Sequence, residues 1–160
     1  MLKKSLFTVL AALPILNAAW AGEPAHDDKM MAEMKKCSIC KNMAGHIDVL
    51  GPVMKHEMIA MNDGVAMRTW LTDDSKVELY HSLCDKMMVA GEASASYTPE
   101  QATKQLCTFC QGIHGLMASG AKMSYGKSDN GDLMVITSEN PEVQKQIAAF
   151  KTTAGEMMGS

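Results

Sequence analysis

The sequence predicts an α+β fold: a two-layer sandwich of two pseudo-repeated helix-strand-strand-helix units sharing a four-stranded antiparallel sheet. Three observations carry this. Two hairpin signals, Asn62-Asp63-Gly64 and Asp129-Asn130-Gly131, each separate two short strand-like runs. Segments with helical spacing flank each hairpin. The chain also repeats itself: Lys55, Gly64 and Met67 match Lys122, Gly131 and Met134 at one offset, and the pairs Cys37/Cys40 and Cys107/Cys110 match at an offset three residues longer.

Taken in order, Met1-Leu2-Lys3-Lys4 is a basic start, Ser5 to Leu16 an apolar run, and Ala19-Trp20-Ala21 a cleavage motif. Residues 1–21 therefore read as an export signal, cleaved near Ala21, which makes the protein periplasmic or secreted. Residues 22–151 read as one domain of two repeats, about 27–90 and 98–151, followed by a flexible tail over 152–160. Asp27 or Asp28 can cap a first helix of good helix formers from Lys29 to Lys36, which should still be running at Cys37. Runs 53–61 and 65–71 form the first hairpin, its turn resting on the tolerance of Asn and Gly for positive φ. Val77, Tyr80, His81, Cys84 and Met88 make the following helix face, and the small, polar stretch 90–98 links the units. Thr98-Pro99-Glu100-Gln101 is a capping box with proline in the first turn. Ala102, Leu106, Cys110, Ile113 and Met117 then recur as on one helix ending at Gly120. Runs 121–127 and 132–137 form the second hairpin, and Pro141 opens a last helix with Val143, Ile147 and Phe150 on its face.

Composition narrows the function. Loss of residues 1–21 removes two lysines and no acids, moving the formal charge from −3 to −5. Arg68 is the sole arginine and no basic run exists, so the chain has no footprint for nucleic acid and no forked clamp for phosphate. No apolar stretch is long enough for a membrane span. There are sixteen methionines, and only a handful of large aromatic rings to fill a core. Thioethers pack irregular gaps well, and they are also soft ligands suited to Cu(I).

The five cysteines hold the chemistry. Two equivalent Cys-x-x-Cys pairs brought together would give a tetrahedral all-thiolate site from Cys37, Cys40, Cys107 and Cys110. Residues three apart in a regular helix have Cβ atoms roughly 5–6 Å apart. A disulfide needs about 3.8 Å, so such a pair chelates more readily than it bridges. His114, four residues after Cys110, shares the stripe and completes the metal-ligand candidates, with Met34 and Met43 as auxiliaries. Structural disulfides within or between the pairs remain an alternative in an oxidising compartment. So does thiol–disulfide exchange, which requires a first thiol at a helix start. Cys84, on an apolar helix face, reads as a small buried hydrophobe. Met54 and Met58 flank His56 on one strand face and read as packing.

Cys37-Ser38-Ile39-Cys40-Lys41 resembles, over five residues, the lysine-ligated haem motif of multihaem nitrite reductases. Those proteins carry further Cys-x-x-Cys-His sites, which this chain lacks, so no haem is expected. The sequence thus points to a non-catalytic exported protein that binds a soft metal ion, Cu(I) ahead of Zn(II), for buffering, delivery or stress protection. Its partners are the ion and another periplasmic protein that gives or receives it.

Overall fold

A computed structural model describes residues 28–158; the predicted export signal, its predicted cleavage point and the last two residues lie outside the described residues. The elements are α1 (Asp28–Lys36), α2 (Lys41–Ala44), α3 (Ile47–Leu50), β1 (Met54–Ala60), β2 (Gly64–Leu71), α4 (Val77–Ser94), α5 (Pro99–Gln105), α6 (Thr108–Ala118), β3 (Lys122–Ser128), β4 (Gly131–Thr137) and α7 (Pro141–Met158). A single 3-10 turn, Asp74–Lys76, leads into α4. The four strands form one sheet in the order β1-β2-β4-β3, antiparallel throughout. The predicted α+β class and antiparallel sheet are therefore what the chain adopts, with strand limits within a residue or two of those read from the sequence.

Alternation sets the two faces of the sheet. Val65 lies opposite Ile136 and Thr69 opposite Asp132, and all four are buried. Their neighbours Arg68 and Leu133, also opposite one another, are exposed. Helices cover the buried face. Near one end α4 packs Tyr80, Leu83 and Cys84 with Leu50 and Leu71. Near the other, α6 and α7 bring Leu116, Val143 and Ile147 onto Val65, Ala121 and Ile136. Each fully buried Leu or Ile contributes roughly 1.5–3 kcal/mol. On the open face Arg68 lies 5.0 Å over the Trp70 ring and 3.6 Å from Glu57.

The hairpin glycines serve a different purpose from the one the sequence suggested. Among the described residues only Gly120 has positive φ, at the end of α6. Gly64 and Gly131 are needed because β2 and β4 approach closely: a Cβ on Gly64 would strike the Ile136 carbonyl, and one on Gly131 the Thr69 carbonyl. The central ladder is closed alike at both ends, Ser138 N–H donating to Asp63 O (3.0 Å) and Leu71 N–H to Asn130 O (2.8 Å).

Two helices outrun their expected limits. α4 continues to Ser94, because Ala90, Glu92 and Ala93 favour helix, and this leaves only a few residues before the Thr98 cap. α7 runs past residue 151 to Met158. There Ala154 is fully buried and His56 donates through Nε2 to the Met158 carbonyl at 2.9 Å, which ties the segment to β1.

Candidate metal centre

Each cysteine pair sits at a junction between two helices, where the sequence predicted pairs inside continuous helices. α1 stops at Lys36, and the Cys37 N–H closes its last turn on Glu33 O and Met34 O. Ser38 and Ile39 turn the chain, and Cys40 stands at the N-cap of α2. The other junction begins with α5, capped as predicted: Thr98 Oγ1 accepts from Gln101 N–H, and Gln101 Oε1 from Thr98 N–H. This helix ends at Gln105. Leu106 is extended (φ −112°, ψ 144°), and Cys107 (φ −70°, ψ 165°) is the N-cap of a new helix, α6. The break has a local cause. Leu106 buries its side chain beside the cysteines, while Gln111 Nε2 donates to the carbonyl that the break frees, at 2.8 Å. Periodicity alone hides this, since a kinked helix pair keeps the same apolar spacing. The thiol at a helix start that exchange chemistry requires is thus present at Cys107, although a helix rather than a strand precedes it.

Two contacts lock the junctions together. The Glu33 carboxylate of α1 accepts from Thr108 N–H (3.2 Å) and Thr108 Oγ1 (2.7 Å), capping the start of α6 from another helix. These bonds hold its carboxyl below the usual carboxylate range. Ser38 N–H donates to Gln105 O at 2.8 Å. Nothing in the sequence near Glu33 marked it for this role, because the interaction joins residues far apart in the chain.

As the sequence predicts, the two pairs converge. The four sulfurs all lie within 4.8 Å of one another, with Cys40 Sγ 3.3 Å from Cys110 Sγ and 3.8 Å from Cys107 Sγ. All are buried free thiols. Ala102 and Leu106 share their cluster, and Met34, Ile39, Met87, Tyr97 and Phe109 pack around it. In this apolar setting the thiols are one another's main polar partners. Hydrogen bonding from Cys107, then Cys110, favours ionisation of Cys37; bonding from Cys110 favours that of Cys107. Cys40 and Cys110 are pushed the other way, each holding its proton chiefly through its bond with Cys107. Within the quartet a thiolate is therefore stabilised by the neighbouring thiols that donate to it.

Such a set can hold a metal ion. A tetrahedral site with metal–sulfur bonds of about 2.3 Å places its sulfurs about 3.8 Å apart, close to the spacing here. His114 lies half-buried on α6, one turn beyond Cys110, and the group of converging ligand atoms consists of the four sulfurs alone. Met34 touches the cluster, whereas Met43 is buried in the neighbouring one with Leu50 and Tyr80.

A second polar cluster was not legible in the sequence. Asp132, buried at the start of β4, accepts on Oδ2 from Tyr80 OH (2.8 Å), Tyr125 OH (3.3 Å) and Cys84 Sγ (3.5 Å). Burial, reinforced by the Asp132 charge, pushes the Cys84 thiol up to about 11. The same two causes lead for Tyr80, whose hydroxyl is also raised. His81 donates through Nε2 to Gly131 O at 2.9 Å, bracing the same strand end. Cys84 is buried as expected, but it is bonded to a carboxylate rather than packed as a plain hydrophobe.

Comparison of the chain with protein-family models, curated proteins and solved structures gives no match. Fold and site together define a small α+β domain with a four-thiol centre able to hold a metal ion. Among the described residues, no helix is long and apolar enough to cross a membrane.

Proposed function

We propose that this is an exported, non-catalytic protein that binds a thiophilic metal ion through Cys37, Cys40, Cys107 and Cys110, for buffering, delivery or protection from metal stress. The observation that carries the reading is the convergence of four buried sulfurs from two distant segments within 4.8 Å. Cu(I) leads, because thiolate and thioether donors both favour it and the chain is rich in methionine. The N-terminal export pattern fits a protein that meets its ion outside the cytoplasm. Four thiolates already make a full tetrahedral set, so the reading needs neither His114, which lies outside the converging group, nor Met34, which packs beside it.

Zn(II) is the second reading, favoured because four cysteine sulfurs are the usual donor set of a closed zinc site. Thiol–disulfide exchange has the Cys107 helix start in its favour, but an attacking thiolate needs access. Cys107 is only 6% exposed.

The test is an anaerobic titration of the reduced mature chain with Cu(I) and, separately, Zn(II), each against a chromophoric chelator. The reading expects tight uptake of about one ion per cysteine cluster, with Cu(I) held against the stronger competitor. Failure of both ions to compete would overturn it.

A further inference from the structure

The sheet places three methionines side by side. Met58 on β1 pairs with Met67 on β2, and Met67 with Met134 on β4. Paired residues share a face, and their Cβ atoms are about 4.5–5.5 Å apart. This row lies on the helix-covered face, between the buried row of Val65 and Ile136 and that of Thr69 and Asp132. Met58 and Met134 pack against the same apolar cluster, the one formed by α6, α7 and the sheet. Despite that position, all three methionines are only half-buried, so the helix layer leaves the row within reach of solvent.

Packing, which is how Met58 reads from the sequence alone, explains this row poorly. Sheet interiors favour β-branched side chains, as the adjacent Val65–Ile136 row illustrates, and methionine has no such preference. Three unbranched thioethers in one rung cost rotamer freedom where a branched residue would lose less. A ligand role accounts for them. Thioether sulfur is soft, uncharged and carries no proton, and the flexible stem lets three sulfurs turn onto one ion without moving the strands.

We propose that Met58, Met67 and Met134 form a second metal site, made only of thioethers, for a monovalent soft cation, Cu(I). It stands apart from the four-thiol centre in both position and chemistry. A neutral ligand set does little to neutralise a divalent ion, so the row discriminates for Cu(I) over Zn(II), and it binds more weakly than the thiolates do. The chain would then hold a tight store and an exchangeable one.

The test uses the full mature chain labelled with ¹³C at the methionine methyls, with Ag(I) as a redox-inert probe of the same charge and softness. Methyl spectra are recorded through a silver titration while thiolate-to-silver absorption follows the cysteines separately, so either site can fail without the other. The expected result is that the Met58, Met67 and Met134 methyls shift together as silver is added past saturation of the thiols, while exposed Met117 stays fixed. Met67→Leu, nearly volume-conserving, should weaken this second event by at least about tenfold, the loss that even outer-shell changes cause at metal sites. Met134→Leu provides the same reading if the first variant fails to fold. Three methyls that stay unmoved at excess silver, or a second event unaltered in both leucine variants, would overturn the proposal.

Discussion

Cys84 and Cys107 are equally buried, each 6% exposed, yet their thiols are driven in opposite directions. Around Cys107 the polar neighbours are three other thiols, and a bond from Cys110 favours its thiolate. Cys84 has a buried carboxylate instead, and a second negative charge beside Asp132 in an apolar layer is costly, so the thiol keeps its proton. Burial therefore does not decide what a cysteine can do in this protein. The company it keeps decides: four thiols can exchange their protons for a cation, while one thiol bonded to a carboxylate becomes part of the core's hydrogen bonding.

The comparison can be broken most directly by removing one side of it. Replacing Cys107 and Cys110 together with Ser should weaken metal binding by more than the roughly 10–100-fold that outer-shell changes cause, since hard hydroxyls replace half of a soft thiolate set. Chelator competition reads the loss. The same variant should lose more stability in the metal-loaded form than in the apo form, because the ion binds only the native state.

On the other side, Tyr80→Phe takes the shortest donor from Asp132. Urea unfolding should show a loss of about 1.5–3 kcal/mol, the range for a hydrogen bond to a charged group. Metal affinity should not change.

Glu33→Ala removes the cap on α6 and should cost about 0.5–1 kcal/mol, the low end for a cap because the bonds reach solvent. The bonds to Thr108 lower the carboxyl in the folded state. This contribution is therefore present above the ordinary carboxylate range and lost as pH falls through the folded value. Thermal melts of the wild type and the variant should converge in acid.

The smallest effect concerns Cys84 itself. Its raised thiol contributes stability below the ordinary cysteine range, and this is lost as pH rises toward about 11. Alkylation of the folded apo protein at pH 8 should modify Cys84 more slowly than Cys37 and Cys107, as peptide mapping can show. Cys84→Ala should leave the metal stoichiometry unchanged.

Much of this was legible in the sequence. The hairpins, the Thr98 capping box, the antiparallel sheet and the meeting of the two cysteine pairs follow from local patterns: turn residues, a capping signature and similar spacing in two halves. What escaped depends on contacts between distant residues. The break at Leu106 keeps helical spacing, so periodicity could not reveal it. The purpose of Gly64 and Gly131 lies in the backbone of the opposite strand, and Asp132 becomes a buried acceptor only when α4 folds over β4. The Met58–Met67–Met134 row requires the register of two strand pairings, which no single segment encodes.

The central claim is that the four thiols serve a metal ion. It is tested most directly by metal analysis of the native protein purified without oxygen from its own cells, paired with a free-thiol count before and after the ion is stripped. The account predicts a bound thiophilic ion, with Cys37, Cys40, Cys107 and Cys110 protected while it is present and all four reactive as thiols once it is removed. Metal-free protein with these four cysteines oxidised to disulfides would contradict it.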